Sequence, residues 1–240
     1  MVYATVGFGG GSSYLAILAL TSLNYTEIRT TALLCNIVVV SNASYRYYKS
    51  GYYHFKRILP LVLSSVPLAF IGATLKISQQ FFFILLALTL LLAAALMLIS
   101  DKEQPGGTTL FVKQKTRNLL KSLCYGGGIG FLSGIVGIGG GIFLAPLLHL
   151  TKWDNSKRIA ATASFFILVN SIAGLSGQVL NPHFNINPER TLLLVSITFI
   201  GGYIGTRMAI KTLSPLHIKK ITALLVAFVA LKILWDICSN

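Results

Sequence analysis

The glycine-rich stretch Val136-Gly137-Ile138-Gly139-Gly140-Gly141 decides the fold, because the chain carries it twice. The earlier copy occupies residues 6–11 and differs at one position, with Phe8 in place of Ile138. Glycine holds a helix poorly, so each run predicts an interruption between helices. Further matches follow the two runs in the same order: Asn24 with Asn155, Ile28 with Ile159, Thr31 with Thr162, Ala32 with Ala163, and Arg57 with Arg190. The sequence therefore predicts an internal duplication, a frequent mark of transporter folds.

The composition places both copies in a membrane. Of the 240 residues, 54% are hydrophobic and 11% are charged, whereas soluble domains carry about 25% charged residues. The mean hydropathy is +0.74. Too few polar side chains remain to cover a water-facing surface, so most of the chain faces lipid or the interior of a helix bundle.

The apolar segments set the predicted architecture. Crossing the hydrocarbon core as a helix takes about 20 apolar residues, and such segments occupy residues 4–23, 28–45, 58–77, 81–99, 118–150, 157–178, 191–210 and 216–236. We expect an all-α membrane protein of about eight segments, duplicated four plus four, with a glycine-broken first segment in each half. The predicted units are a first repeat at 1–100, a polar linker at 101–117 and a second repeat at 118–240.

The first copy has a short leading arm. Fifteen residues, Leu119 to Ser133, precede the second glycine-rich stretch, whereas Met1 to Thr5 precede the first. Two interpretations stay open: the first half has lost an arm, or this start lies within a longer sequence.

The basic residues favour inverted repeats. If all eight segments crossed, cationic loops would lie on opposite sides of the membrane in the two halves, against the positive-inside rule. If segment 118–150 instead dips in and returns, most of the 20 Lys and Arg share one face, in loops 46–57, 102–121, 152–158 and 211–220. Arg29, Lys76 and Arg190 then occupy the opposite loops. The competing topology is straight crossing with parallel halves, in which the glycines serve close helix packing.

The inverted arrangement predicts a solute site at the two breaks. A helix restarting after each run, at Ser12 and Ile142, presents unpaired N–H groups and a partial positive charge, which favour an anion. Polar side chains within the spans should face the bundle interior. The predicted substrate-binding residues are Gly9, Gly10, Gly11, Ser12, Ser13, Asn36, Gly139, Gly140, Gly141, Thr162, Ser164 and Asn170. For the asparagines, a hydrogen bond that only holds the fold is an equal alternative.

Other classes of function lack their motifs. All six acidic residues lie in loops or at segment ends, so no buried carboxylate is predicted to carry a proton or sodium ion. The chain has no P-loop and no HExxH, and its three cysteines are far apart. We therefore expect no enzyme activity, no cofactor, no metal and no nucleic-acid partner.

Four features carry a resemblance to a known family: the glycine motif Gly137-Ile-Gly-Gly-Gly-Ile-Phe-Leu-Ala-Pro146, its copy Gly7-Phe-Gly-Gly-Gly11, the duplication, and Ala161-Thr-Ala-Ser164. In these features the chain resembles the sulfite exporter TauE/SafE family of membrane transporters. The resemblance implies a permease of a bacterial or archaeal plasma membrane that handles sulfite or organosulfonate anions. The chain departs from the motif at Ala16, where the second copy has Pro146.

The prediction is thus a secondary transporter of a small anion, multi-pass in the plasma membrane, with its basic loops cytoplasmic. Its partners are the anionic solute and the lipid bilayer. Two alternatives stay open: a passive anion channel and a non-transporting membrane subunit of a complex. The substrate, the direction of transport, the coupling ion and the oligomeric state are not specified by the sequence.

Overall fold

The computed structural model describes residues 11–21, 23–99, 117–151, 153–181, 184, 186–209 and 215–239, and within them the only regular elements are helices. These are α1 (Gly11–Ala19), α2 (Tyr25–Lys49), α3 (Phe55–Thr74), α4 (Gln79–Ile99), α5 (Arg117–Val136), α6 (Gly141–Leu150), α7 (Ser156–Val179), α8 (Pro188–Ala209) and α9 (Pro215–Ser239). The all-α prediction is confirmed for this part of the chain.

Four of the described helical stretches are long and apolar enough to cross a membrane: Phe55–Thr74, Gln79–Ile99, Leu119–Val136 and Ser156–Val179. A further apolar helix, Gly141–Leu150, is shorter than these four. The count of about eight segments and their four-plus-four duplication stay predictions. So do the repeat boundaries, because residues 101–116 of the predicted linker lie outside the described residues.

Matching asparagines start α2 and α7. The Asn24 side-chain oxygen accepts a hydrogen bond from the Thr26 backbone N–H, and the Asn155 oxygen accepts one from the Arg158 N–H at 3.0 Å. An N-cap of this kind satisfies one of the four unpaired N–H groups that every helix start leaves. The match of Asn24 with Asn155 therefore has a local structural reason, since each residue caps the start of a helix.

Helices α2 and α7 run antiparallel through the centre of the bundle. Thr30 near the start of α2 donates to Gln178 near the end of α7, at 2.7 Å. One turn further along α2, Leu33 contacts Gly174. Helix α3 packs on α7, α8 packs on α2, and α4 packs on α9.

Helices α3 and α5 run parallel and in close contact. Three glycines of α5, four residues apart, face one side of α3: Gly126 lies against Leu61, Gly130 against Ser65 and Gly134 against Ala69. Each glycine is so close that an added Cβ would lie within 3 Å of the α3 backbone. Small residues at this spacing let two helix backbones approach, as in membrane-embedded helix pairs.

Ion pairs mark the two ends of the bundle. At the end that carries the starts of α3 and α7, here called the basic end, Arg57 bonds Asp154 at 3.3 Å and Arg158 lies 3.6 Å from the same carboxylate. Lys157 lies over the Tyr52 ring there, and burial raises the pKa of the nearby Tyr53 phenol. At the opposite end, which carries the starts of α2 and α8, Arg190 bonds Glu27 at 3.0 Å.

The outer surface is apolar. Large hydrophobic side chains are more than half exposed on α3, α4, α8 and α9, among them Leu63, Leu92, Leu192 and Phe228. An aqueous surface seldom carries so many exposed apolar side chains on long apolar helices, whereas a lipid-facing one requires them. The architecture is that of a multi-pass membrane protein.

Candidate functional site

Segment 118–150 is interrupted where the second glycine run lies. Helix α5 ends at Val136 and α6 begins at Gly141. Between them Gly137, Gly139 and Gly140 adopt φ of 83°, 82° and 80°, in the left-handed region that side chains other than glycine rarely tolerate. The predicted break is confirmed here, and we call residues 137–140 the glycine break. Residues 1–10, which hold Gly9 and Gly10, lie outside the described residues.

The chain reverses direction at the glycine break. Helix α5 runs parallel to α3, away from the basic end. Helix α6 then returns, since Gly141 packs on Ile167 near the middle of α7 and the residues after α6 reach the start of α3, where the Trp153 carbonyl accepts from Arg57. The two arms of this segment therefore begin and end toward the same end of the bundle, although α5 alone is long enough to cross a membrane.

The start of α1 meets the glycine break. Gly11, the first residue of α1, is so close to the Asn36 amide and the Ile138 carbonyl oxygen that an added Cβ would overlap both. Asn36 Nδ2 donates to that same carbonyl at 3.0 Å. Ser12 is buried in the first turn of α1, and the Ser13 side chain lies outside the described residues.

Two helix N-termini thus converge from opposite directions. Helix α1 leads away from Asn36, near the middle of α2, to the loop before α2, and α6 leads away from Ile167, near the middle of α7, to the loop before α7. Because α2 and α7 are antiparallel, α1 and α6 point to opposite ends of the bundle. Their starts bring two partial positive charges, each of about half an elementary charge, to the same buried place. Inverted repeats predict this arrangement.

Buried polar atoms without a partner lie around the glycine break. Among the described residues, the Ser171 hydroxyl, the Ser133 hydroxyl and Asn36 Oδ1 have no hydrogen-bond partner. A Cβ added at Gly139 would lie 2.8 Å from Ser171 Oγ and 3.1 Å from Asn36 Nδ2, and one added at Gly140 would lie 3.3 Å from Ser133 Cβ. Buried polar groups are nearly always paired in native proteins. Within the described part of the chain, three polar atoms at the glycine break thus remain unpaired.

The predicted residues on α7 are placed less uniformly. Asn170 is buried and donates through Nδ2 to the Phe166 carbonyl, while its Oδ1 has no partner among the described residues. Ser164 donates to the Ala160 carbonyl at 2.8 Å. Thr162 is also buried, but no contact among the residues that the structure describes brings it to the glycine break. The structure thus gathers Gly11, Asn36, Gly139, Gly140 and Gly141 at the break, and Asn170 one turn beyond Phe166, which contacts Gly140.

Two of the three cations assigned to the opposite loops lie in helices instead: Arg190 is in the first turn of α8, and the error at Arg29 hid a buried charge. Arg29 was assigned to a loop, but it lies in the second turn of α2 and is 1% exposed. The segment predicted at 28–45 places Arg29 at its very end, whereas the N-cap at Asn24 places it one full turn inside the helix. The serines Ser133 and Ser171 were also absent from the predicted site. The sequence feature that could have identified both serines is that each is a polar residue within an apolar span.

Comparison with known proteins identifies the family. A family model described as sulfite exporter TauE/SafE matches residues 1–233. The probable membrane transporter protein y4hK of Sinorhizobium fredii is 29% identical over 235 residues, covering 98% of this chain and 94% of that protein. The probable membrane transporter protein YunE of Bacillus subtilis is 33% identical over 89 residues, covering 35% of this chain and 32% of that protein. No solved structure matches the chain. With a match over nearly its whole length, the chain belongs to the sulfite exporter TauE/SafE family of membrane transporters.

Proposed function

We propose that this transporter carries a small anion across the plasma membrane and binds it at the glycine break. The observation that carries the proposal is the convergence of the α1 and α6 N-termini on Asn36 and Ile138. Helix N-termini offer N–H donors and a partial positive charge, and paired broken helices near mid-membrane are typical solute sites of secondary transporters. Positive φ at three glycines lets the ligand approach the backbone without meeting side chains.

The charges around the site also favour an anion. Among the described residues, the acidic side chains lie at helix ends or in loops, and the two buried most deeply, Glu27 and Asp154, are paired with arginines. No described carboxylate therefore opposes a negative ligand at the glycine break. Within this class, the family's description as a sulfite exporter suggests a sulfur oxyanion, and we extend the proposal to organosulfonates.

A carrier is favoured over a passive channel because contacts join the two halves at both ends. Arg57 and Glu27 belong to the first predicted repeat, and Asp154 and Arg190 to the second, so each end of the bundle carries one ion pair between repeats. The polar atoms at the glycine break are buried. Alternating access requires such a closed state, with each end opening in turn as one repeat rocks on the other. We place the basic loops in the cytoplasm by the positive-inside rule.

The proposal is tested by transport in proteoliposomes. Labelled methanesulfonate is the probe, because it is charged at neutral pH and crosses lipid poorly. A carrier should give saturable uptake, accelerated by trapped unlabelled methanesulfonate. A channel should give no such counterflow. Uptake equal to that of protein-free vesicles for methanesulfonate, sulfite and carboxylates alike would reject anion transport.

A matched pair of glycine variants localises the site. Gly140→Leu should abolish uptake, since its Cβ would lie 2.9 Å from Phe166 and 3.0 Å from Ile129 at a φ of 80°. Gly51→Leu is the control, because Gly51 also has positive φ, 69°, but nothing lies within 4 Å of an added Cβ. Both variants should insert into membranes. Equal uptake by the two would contradict a site at the glycine break.

A further inference from the structure

Arg29 is a buried cation without a carboxylate. It is 1% exposed, and its Nη2 donates to the Gly134 carbonyl at 3.0 Å and to the Ala73 carbonyl at 3.4 Å. Glu27, two residues earlier on α2, bonds Arg190 instead. No described acidic side chain forms an ion pair with Arg29. Ionised side chains buried in membrane proteins are costly, and they mark substrate or ion pathways by default.

The two carbonyls explain only part of the arrangement. Gly134 lies in the last turn of α5 and Ala73 in the last turn of α3, where carbonyls without helical partners carry partial negative charge. Arg29 therefore holds two helix ends together. Its Nε is nevertheless buried without any partner among the described residues, and a purely structural cap gives no reason for that unfilled donor.

A second unfilled donor lies on α7, which packs against both α2 and α3. Gln178 is 4% exposed, and its Oε1 accepts from the Thr30 hydroxyl at 2.7 Å. Its Nε2 is buried with no partner among the described residues. Thr30 follows Arg29 on α2, and Gly177 contacts Ala73, whose carbonyl accepts from Arg29. Both donors thus lie where α2, α3 and α7 meet.

This place adjoins the glycine break. A Cβ added at Gly137 would lie 3.2 Å from Arg29 Cβ. Arg29 is near the start of α2, and Gln178 is near the end of α7. The two donors therefore lie between the glycine break and the end of the bundle opposite the basic end. At the spacing that matches Asn24 with Asn155 and Thr31 with Thr162, Arg29 matches Ala160. The cation is therefore present on one side of the break only.

We propose that Arg29 and Gln178 form a second anion subsite, between the glycine break and the opposite end of the bundle, for an oxyanion that offers two acceptor oxygens. The inference rests on the proposed function, since it assigns a charged step to the same pathway. Nε of Arg29 and Nε2 of Gln178 each donate to one oxygen, and the guanidinium supplies the net charge that the helix N-termini lack. The asymmetry between repeats makes this subsite a feature of one side of the membrane.

The test measures methanesulfonate uptake and binding by full-length variants. Arg29→Gln and Gln178→Met should each raise the KM for methanesulfonate about tenfold, because each removes a hydrogen bond to a charged ligand. Arg29→Lys should retain the preference for methanesulfonate over neutral methanesulfonamide in thermal-stabilisation assays, whereas Arg29→Gln should lose it. Lys76→Gln is the control: it removes an exposed cation from the loop after α3, at the same end, and should leave KM within twofold.

The outcomes separate this inference from the proposed function. Wild-type KM in Gln178→Met, or in a folded Arg29→Gln, overturns the second subsite and leaves transport at the glycine break intact. A lower Tm without ligand but an unchanged KM assigns Arg29 to capping alone and also overturns it. If Arg29→Gln does not fold, Gln178→Met and Arg29→Lys decide. Equal stabilisation of the wild type by methanesulfonamide and methanesulfonate rejects the proposed anion site itself.

Discussion

At the scale of single residues, the clearest separation of function from stability is at Ser171. Its hydroxyl is buried, adjoins Gly139 and has no partner among the described residues. A buried hydroxyl without a hydrogen bond costs about 1–3 kcal/mol. Structural serines of this bundle differ, since Ser65 is equally buried but donates to the Val62 carbonyl at 3.3 Å.

We therefore expect Ser171→Ala to keep or raise thermal stability while weakening uptake. Loss of one neutral hydrogen bond to the solute should raise KM several-fold, from about 0.5–1.5 kcal/mol of binding free energy. Ser65→Ala is the matched control and should not change KM. Thermal unfolding in detergent and uptake in proteoliposomes give the two readouts. A Ser171→Ala protein that is destabilised but transports normally would assign the hydroxyl to the fold.

The same scale shows what the sequence could and could not predict. Asn36 and Asn170 were expected to face the interior because an amide in hydrocarbon needs a partner, and both are buried. Arg29 was missed because a cation near a segment end is usually at the headgroups. Its burial depends on two helix ends, at Ala73 and Gly134, that are far away in the chain.

At the scale of elements, the glycines of this chain do two different jobs. Gly137, Gly139 and Gly140 interrupt the helix, whereas Gly126, Gly130 and Gly134 continue it and contact α3. Position along a helix period distinguishes them: a spacing of four residues places glycines on one face. Clustered glycines at 139–141 share no face. The sequence predicted the break because the glycine run recurs, whereas the packing stripe was not predicted from the sequence.

The glycine stripe of α5, at Gly126, Gly130 and Gly134, predicts that glycine-to-alanine substitutions at neighbouring positions have opposite effects on thermal stability. Gly130→Ala should lower thermal stability, because the new methyl would lie 2.5–2.7 Å from Ser65 backbone and side-chain atoms, and overpacking costs about 1–3 kcal/mol. Gly128→Ala should be neutral or stabilising by about 0.5–1 kcal/mol, since nothing lies within 4 Å of its added methyl and alanine favours helix. Thermal unfolding in one detergent compares them. A Gly130→Ala protein as stable as Gly128→Ala would contradict close α3–α5 packing.

At the scale of the whole molecule, the return of α6 determines how the charges are distributed. The basic end gathers Arg57 and Arg158 against Asp154, and Lys157 over the Tyr52 ring, and we propose by the positive-inside rule that this end is cytoplasmic. This arrangement requires that residues 117–150 enter and leave on the same side. Hydropathy could not decide the point, because α5 is as apolar as a crossing helix. The charge distribution favoured the return of this segment to the same side. The contacts of Gly126, Gly141 and Trp153 agree with that return.

Cysteine labelling in intact membranes distinguishes the two topologies. After Cys35, Cys124 and Cys238 are replaced, single cysteines at Lys121, Thr151 and Gly51 should react with a membrane-impermeant maleimide from the same side. Lys121 precedes most of α5, Thr151 follows α6, and Gly51 lies in the loop before α3; all three residues are exposed. Lys76→Cys, in the exposed loop after α3, serves as the control for the other side. Straight crossing instead places positions 121 and 151 on opposite sides. Labelling of those two positions from different sides would therefore refute the inverted arrangement, and with it the convergence of two helix N-termini from opposite faces on one anion site.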